Sequence, residues 1–133
     1  MKQYTLRKNE RLCSKRIIEQ LFAKGERFVV YPFSVYWCVC DNESIPDTQV
    51  QVLIGTSKRK FKKAVDRNRV KRLIRECYRL NKYKLYDVLS VKDKKIALSI
   101  NYIHDKIKDY GSLEEKYVKM LNTLIAEIEQ KIN

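Results

Sequence analysis

Apolar positions recur along this chain in two rhythms, and their alternation predicts the order of elements. From Leu12 to Lys24, Ile17, Ile18, Leu21 and Phe22 fall at helical spacing and Gly25 supplies a natural stop, which predicts a first helix. Phe33 to Cys40 then alternates, with Phe33, Val35, Trp37 and Val39 on one side and Ser34, Tyr36, Cys38 and Cys40 on the other. That is the period of a strand. The polar stretch 41–47 predicts a turn or short loop. Thr48 to Thr56 predicts a second strand with Val50, Val52 and Ile54 inward, joined most simply to the first as a hairpin. A helix is expected from Lys62 to Leu80, and a polar loop from Asn81 to Lys95 around Leu85, Tyr86, Val88 and Leu89. The segment Lys95–Tyr102 carries the β-run Ile96-Ala97-Leu98-Ser99-Ile100. Gly111-Ser112 introduces a last helix, with Ser112 as N-cap and Glu115 completing a capping box. Its stripe of Leu113, Tyr117, Met120, Leu121, Leu124, Ile125 and Ile128 fits core packing. The order α-β-β-α-β-α implies a single domain over 1–133, a two-layer α/β sandwich of the α+β or α/β class, with a core over 11–130 and no repeat or linker.

Composition narrows this picture. With 133 residues, 44% of them hydrophobic and 11% aromatic, the chain can bury a core and is not a disordered tail. The start, Met1 to Lys8, lacks the apolar centre of a signal peptide, and Phe28–Cys40 is too short and too interrupted to span a bilayer. A cytoplasmic protein without a membrane partner is expected. Cys13, Cys38, Cys40 and Cys77 lack metal-ligand spacing, and His104 is the one histidine. They read as reduced structural thiols.

Charge changes the picture most. There are 29 Lys and Arg against 16 Asp and Glu, a formal net charge of +13. Thirteen of the cations lie in residues 57–84, where only Asp66 and Glu76 oppose them. A salt-bridged solvent face alternates signs, and this segment does not. On a helical wheel, Val70, Leu73, Ile74, Cys77, Tyr78 and Leu80 gather on one arc, while Asn68, Arg69, Lys71, Arg72, Arg75 and Arg79 occupy the other. Like charges at i,i+4, as in Lys71–Arg75 and Arg75–Arg79, weaken a free helix, so an anionic ligand is implied. Arginine's planar fork grips phosphate bidentately. The apolar arc is needed for the core, which argues against a membrane-surface helix. Nucleic acid is the expected partner.

These residues also carry a family resemblance. Phe61-Lys62-Lys63-Ala64-Val65-Asp66-Arg67-Asn68-Arg69-Val70-Lys71-Arg72-Leu73-Ile74-Arg75 resembles the RNR motif of the bacterial ribonuclease P protein component. Arg11-Leu12 leading to Leu21-Phe22-x-x-Gly25, Phe33-Ser34-Val35-Tyr36 and the basic loop Ser57-Lys58-Arg59 are similar to that family's first helix, next strand and pre-helix loop. The resemblance implies a small α/β sandwich with a left-handed βαβ crossover, against the usual hand. It further implies a subunit of the endoribonuclease that removes the 5′ leader from precursor tRNA, its partners being ribonuclease P RNA and precursor tRNA, with no protein partner. Catalytic groups and Mg²⁺ sites belong, by the same implication, chiefly to the RNA subunit. Carried over by position, Lys58, Arg59, Arg67, Asn68, Arg69, Lys71, Arg72 and Arg75 contact that RNA, and Phe22 and Tyr36 line a cleft for the single-stranded leader. Ile18 stands where many members have an aromatic residue, and Asn101 and Tyr102 where basic residues are common.

The residues alone argue the same division of labour. Carboxylates are scattered, His104 is isolated, and no phosphate-cradling glycine loop or nucleophile elbow is present, so no protein side chain is expected to be catalytic. The alternative is a non-catalytic structural protein docking on ribosomal RNA through the same helix. A DNA regulator is disfavoured, because the helix offers one amide, Asn68, among cations and no dimerisation element.

Overall fold

The structure, a computed structural model, describes residues 6–40 and 48–132. They run through a 3₁₀ turn (Lys8–Glu10), α1 (Lys15–Lys24), β1 (Glu26–Val30), β2 (Phe33–Cys40), β3 (Val50–Thr56), α2 (Ala64–Lys92), β4 (Lys95–Tyr102) and α3 (Tyr110–Lys131). The expected order α-β-β-α-β-α is present, with β1 as an additional strand ahead of the two read from the sequence. The predicted turn over 41–47 lies outside the described residues.

The hairpin expectation is corrected. The sheet order is β1-β2-β4-β3, with β2 antiparallel to both β1 and β4, and β3 parallel to β4. Strand β4 separates the two strands expected to pair, and the reason lies in its own residues. Ile96, Ala97, Leu98, Ser99 and Ile100 are all at most 1% exposed. A near-continuous apolar run belongs to a strand buried on both faces, which forces it to the sheet's centre. The β3–α2–β4 connection is thus the βαβ unit of the fold.

Helices α2 and α3 cover one face, closing a core around Phe33, Val35, Trp37, Ile74, Tyr78, Leu98 and Tyr117. The α3 stripe is core packing: Leu113, Tyr117, Met120, Leu121, Leu124 and Ile128 are buried and Ile125 packs at its margin. The cap of α3 is Asp109 rather than Ser112; its carboxylate accepts the Ser112 N–H at 3.3 Å. That contact holds the Asp109 carboxyl below the usual carboxylate range.

Among the described residues, only α1 covers the other face, and lightly. Ser14 caps it by accepting the Ile17 N–H at 3.4 Å, so the helix begins at Lys15 and not at Leu12. Ile17 and Leu21 bury against Ala97, contributing roughly 1.5–3 kcal/mol each. Gly25 closes the helix with its N–H on the Leu21 carbonyl, and the close approach requires glycine, since a Cβ there would come within 2.3 Å of that oxygen. The rest of this face stays open.

The loop expected over Asn81–Lys95 is also corrected: α2 continues to Lys92. Its buried arc turns along its length. Val70, Ile74 and Cys77 face the sheet, whereas Tyr78, Lys82, Leu85, Tyr86 and Leu89 are buried on an arc rotated by about 100°. There the helix packs on α3 and on the 3₁₀ turn. Buried Lys82 donates to both oxygens of Glu10, at 2.9 and 3.0 Å, and the Tyr78 and Tyr86 hydroxyls share a hydrogen bond of 3.0 Å. Asp93, in the left-handed region at φ 53°, closes the helix.

Candidate nucleic-acid interface

The first four turns of α2 place the cations as the wheel implies. Arg69, Arg72 and Arg75 are exposed, Lys71 is half-buried and Asn68 is exposed, while Val70 and Ile74 hold the opposite side in the core. Among the described residues, none of Arg69, Lys71, Arg72 and Arg75 pairs with a carboxylate. The ridge narrows at its C-terminal end, where Glu76 pairs with Arg79. The arginine's hydrogen bond lowers the Glu76 pKa and raises that of Arg79. Beyond that point the part of the arc continuing from Lys71 and Arg75 is buried at Lys82 and Tyr86, and the exposed part carries Asp87 and Ser90 in place of cations, so the ridge stops.

Arg67 stands apart. It lies about 60° from Val70 on the wheel, and its Nη1 donates to the Phe61 and Lys62 carbonyls at 2.7 and 2.9 Å. Part of its hydrogen-bonding capacity braces the loop entering α2. That loop presents Lys58 and Arg59 to solvent, and Ser57 Oγ accepts the Arg59 N–H at 3.1 Å. Beside it, Arg59, Lys60, Lys62, Lys63 and Lys106 line an open hollow of about 520 Å³ that also holds Asp66 and Asp105. Phosphate oxygens suit such a surface, because five cationic side chains converge there against two carboxylates.

On the open face of the sheet, the structure brings Phe22 and Tyr36 together. Their rings meet edge to face, with centroids 4.7 Å apart and planes at 67°. Phe22 is 44% exposed, so it is not a core residue, and Tyr36 is half-buried. Ile18 packs beside them, at the margin of the small core under α1. The guanidinium of Arg27 stands 5.7 Å from the Tyr36 ring centre. Arg27 went unnoticed in the sequence because β1 did; its partner in the strand register is Tyr36 itself.

The two departures noted at the end of the last strand, Asn101 and Tyr102, part ways. Asn101 lies on the open face, its amide donating to Ser34 O at 3.3 Å and Ser99 Oγ at 3.0 Å. Gly55 beside it leaves the room: a Cβ there comes within 2.9 Å of Asn101 Oδ1. Tyr102 lies on the opposite, core face, buried, with its hydroxyl donating to Lys106 O at 2.6 Å. It is not part of the cleft.

Cys77 is buried, and loss of water pushes its thiol up to about 12. Cys38 and Cys40 are half-buried on the α1 side, with the Cys38 thiol lowered by its hydrogen bond from Cys40. His104 sits at a boundary against Tyr31, with which it shares a hydrogen bond. Among the described residues, no three His, Cys, Asp or Glu side chains converge as a metal site. No described helix is long and apolar enough to cross a membrane.

Comparison with known proteins adds an independent line. The family model for Ribonuclease P matches residues 6–112. A ribonuclease P protein component from Porphyromonas gingivalis is 36% identical over 118 residues, covering 89% of this chain and 85% of its own. One from Petrotoga mobilis is 32% identical over 133 residues, covering 95% of this chain and all of its own. Two solved structures share the fold. The RNase P protein from Thermotoga maritima has a TM-score of 0.63 at 22% identity, covering 84% of this chain and 94% of that one. A Staphylococcus aureus RNase P protein mutant has a TM-score of 0.64 at 21% identity, covering 88% and 89%.

Proposed function

The chain belongs to the ribonuclease P protein family, the protein subunits of a tRNA-processing ribonucleoprotein, and from that premise we propose a role for each face of the molecule. The ridge of Asn68, Arg69, Lys71, Arg72 and Arg75, with Lys58, Arg59 and the remaining donors of Arg67, grips the phosphate backbone of ribonuclease P RNA. The cleft of Phe22, Tyr36 and Arg27 holds the 5′ leader of precursor tRNA, its unstacked bases lying on the aromatic rings. Such stacking is worth roughly 1–3 kcal/mol per base. The observation that carries this reading is that the four ridge cations have no carboxylate partner among the described residues, on a helix whose other side is locked in the core. A cationic surface that costs the free protein stability is explained by a polyanion that neutralises it.

In this reading the endonucleolytic step runs on Mg²⁺ held by the RNA subunit. The protein's own residues offset RNA–RNA repulsion and position the substrate.

The test adds the purified chain to bacterial ribonuclease P RNA at low Mg²⁺ and measures cleavage of precursor tRNA. Stimulation is expected, and its absence at every chain concentration rejects the role. For the cleft, Tyr36→Ala is expected to weaken binding of leader-bearing precursor while sparing mature tRNA; equal losses for both reject the assignment.

A further inference from the structure

Between the cationic ridge and the aromatic cleft, at the outer edge of β3, lies a cavity of about 170 Å³. Its walls are Leu6, Leu12, Val52, Leu53 and Ile54, and Arg11, Cys13 and Arg75 complete its lining. Leu53 belongs to the open face of the sheet and Val52 and Ile54 to the core face, so the cavity opens at the strand's edge. Arg11 is fixed there by backbone pairing with Val52, and the Leu12 N–H donates to Val52 O at 3.0 Å.

Three features of this slot specify an occupant. Its walls are apolar, and its volume falls below the 300–1,000 Å³ of sites for drug-sized ligands, which suits one flat ring system. Among the described residues, neither the Arg11 nor the Arg75 guanidinium has a hydrogen-bond or carboxylate partner, leaving both for an anion. The strand supplies a polar edge as well. The Ile96 N–H donates to Gln49 O, so odd-numbered residues of β3 bond β4, and the N–H and C=O of Ile54 point outward toward the slot. An apolar flat body, a polar rim and an attached anion together describe a nucleotide.

We propose that this slot receives a single unpaired nucleobase of the RNA subunit, with a flanking phosphate held between Arg11 and Arg75. The proposal rests on the reading that α2 faces that RNA, because Arg75 belongs to both surfaces. Base-paired RNA cannot enter, since recognition of this kind takes a base splayed out of its stack. The slot therefore reads a bulge or loop nucleotide beside the strand that follows the ridge.

The test probes ribonuclease P RNA, free and saturated with the full chain, with dimethyl sulfate and carbodiimide at base edges and with hydroxyl radicals along the backbone. Cys13 lines the slot and is exposed, so Cys13→Trp obstructs the opening without entering the core. Arg11→Gln removes one guanidinium and provides a second, smaller perturbation. Circular dichroism and urea midpoints confirm that each variant is folded. The proposal expects one unpaired base protected by the unaltered chain to regain reactivity with both variants while backbone protection along the ridge persists. Affinity should fall about tenfold. Ridge protection with no single base responding overturns the slot and leaves the function intact. Parallel weakening of all protections also overturns it, as a general loss of affinity. No protection by the unaltered chain overturns the proposed function, and the slot with it.

Discussion

Replacing Arg69 and Arg72 together by alanine removes two exposed cations from the centre of the ridge. Neither has a carboxylate partner among the described residues, and Val70 and Ile74, which anchor this part of α2, are untouched. Alanine is at least as good a helix former as arginine, and the change relieves like-charge repulsion, so stability should move by no more than about 0.5 kcal/mol. Binding should move much further. A hydrogen bond to a charged group contributes roughly 1.5–3 kcal/mol when fully formed. Solvent-exposed phosphate contacts keep part of that, so the pair is expected to cost about 10–100-fold in affinity. The sharper quantity is salt dependence. Each neutralised phosphate adds about 0.7–0.9 to the slope of log affinity against log salt, so losing two should flatten it by about 1.4–1.8. Fluorescence anisotropy with labelled ribonuclease P RNA across a salt series measures both. An unchanged slope, or a weakened complex accompanied by unfolding in circular dichroism, refutes the reasoning.

Further outcomes follow from the interior. Lys82→Ala removes the counter-charge of the Glu10 carboxylate, which is 6% exposed, and should cost about 3–5 kcal/mol in urea unfolding, whereas Glu10→Gln with Lys82→Met should recover most of it. Gly25→Ala forces a Cβ against the Leu21 carbonyl and should lower the urea midpoint by displacing α1, with near-zero change showing that the helix end adjusts freely. Burial pushes Cys77 and Tyr86 each up to about 12 and favours their neutral forms in the folded state. That stability is fully present below pH 9, Cys77's ordinary value, and is lost as pH rises toward 12, which an alkaline unfolding titration checks. Iodoacetamide should modify Cys13 in the native chain and leave Cys77 unlabelled until denaturant is added.

Much of the architecture is legible in the residues, and the failures have physical causes. β2 and β4 begin and end where alternation and the Ile96–Ile100 run place them, because burial on defined faces leaves a period in the sequence. The same run carries the information that β4 is central, yet strand pairing depends on long-range competition that chain proximity does not report. A single wheel ends α2 at Leu80 because the buried arc turns toward α3 and the 3₁₀ turn, bringing a lysine inside where a polar surface residue is expected. The distant Glu10 carboxylate and the Tyr83 and Tyr86 rings explain Lys82. β1 escapes notice because Glu26 and Arg27 are exposed edge residues and Pro32 follows closely. At the interface, exposure of the ridge follows from the wheel. The brace made by Arg67 and the position of Arg27 over Tyr36 depend on tertiary neighbours.

The central claim, that the early turns of α2 are the surface that meets ribonuclease P RNA, is tested most directly by crosslinking the full chain to that RNA and mapping modified peptides by mass spectrometry. The account predicts crosslinks concentrated between Lys58 and Arg75, with Arg11 and Cys13 at their margin and the solvent side of α3 unmarked. Crosslinks centred on α3, with the α2 ridge unmodified, contradict it.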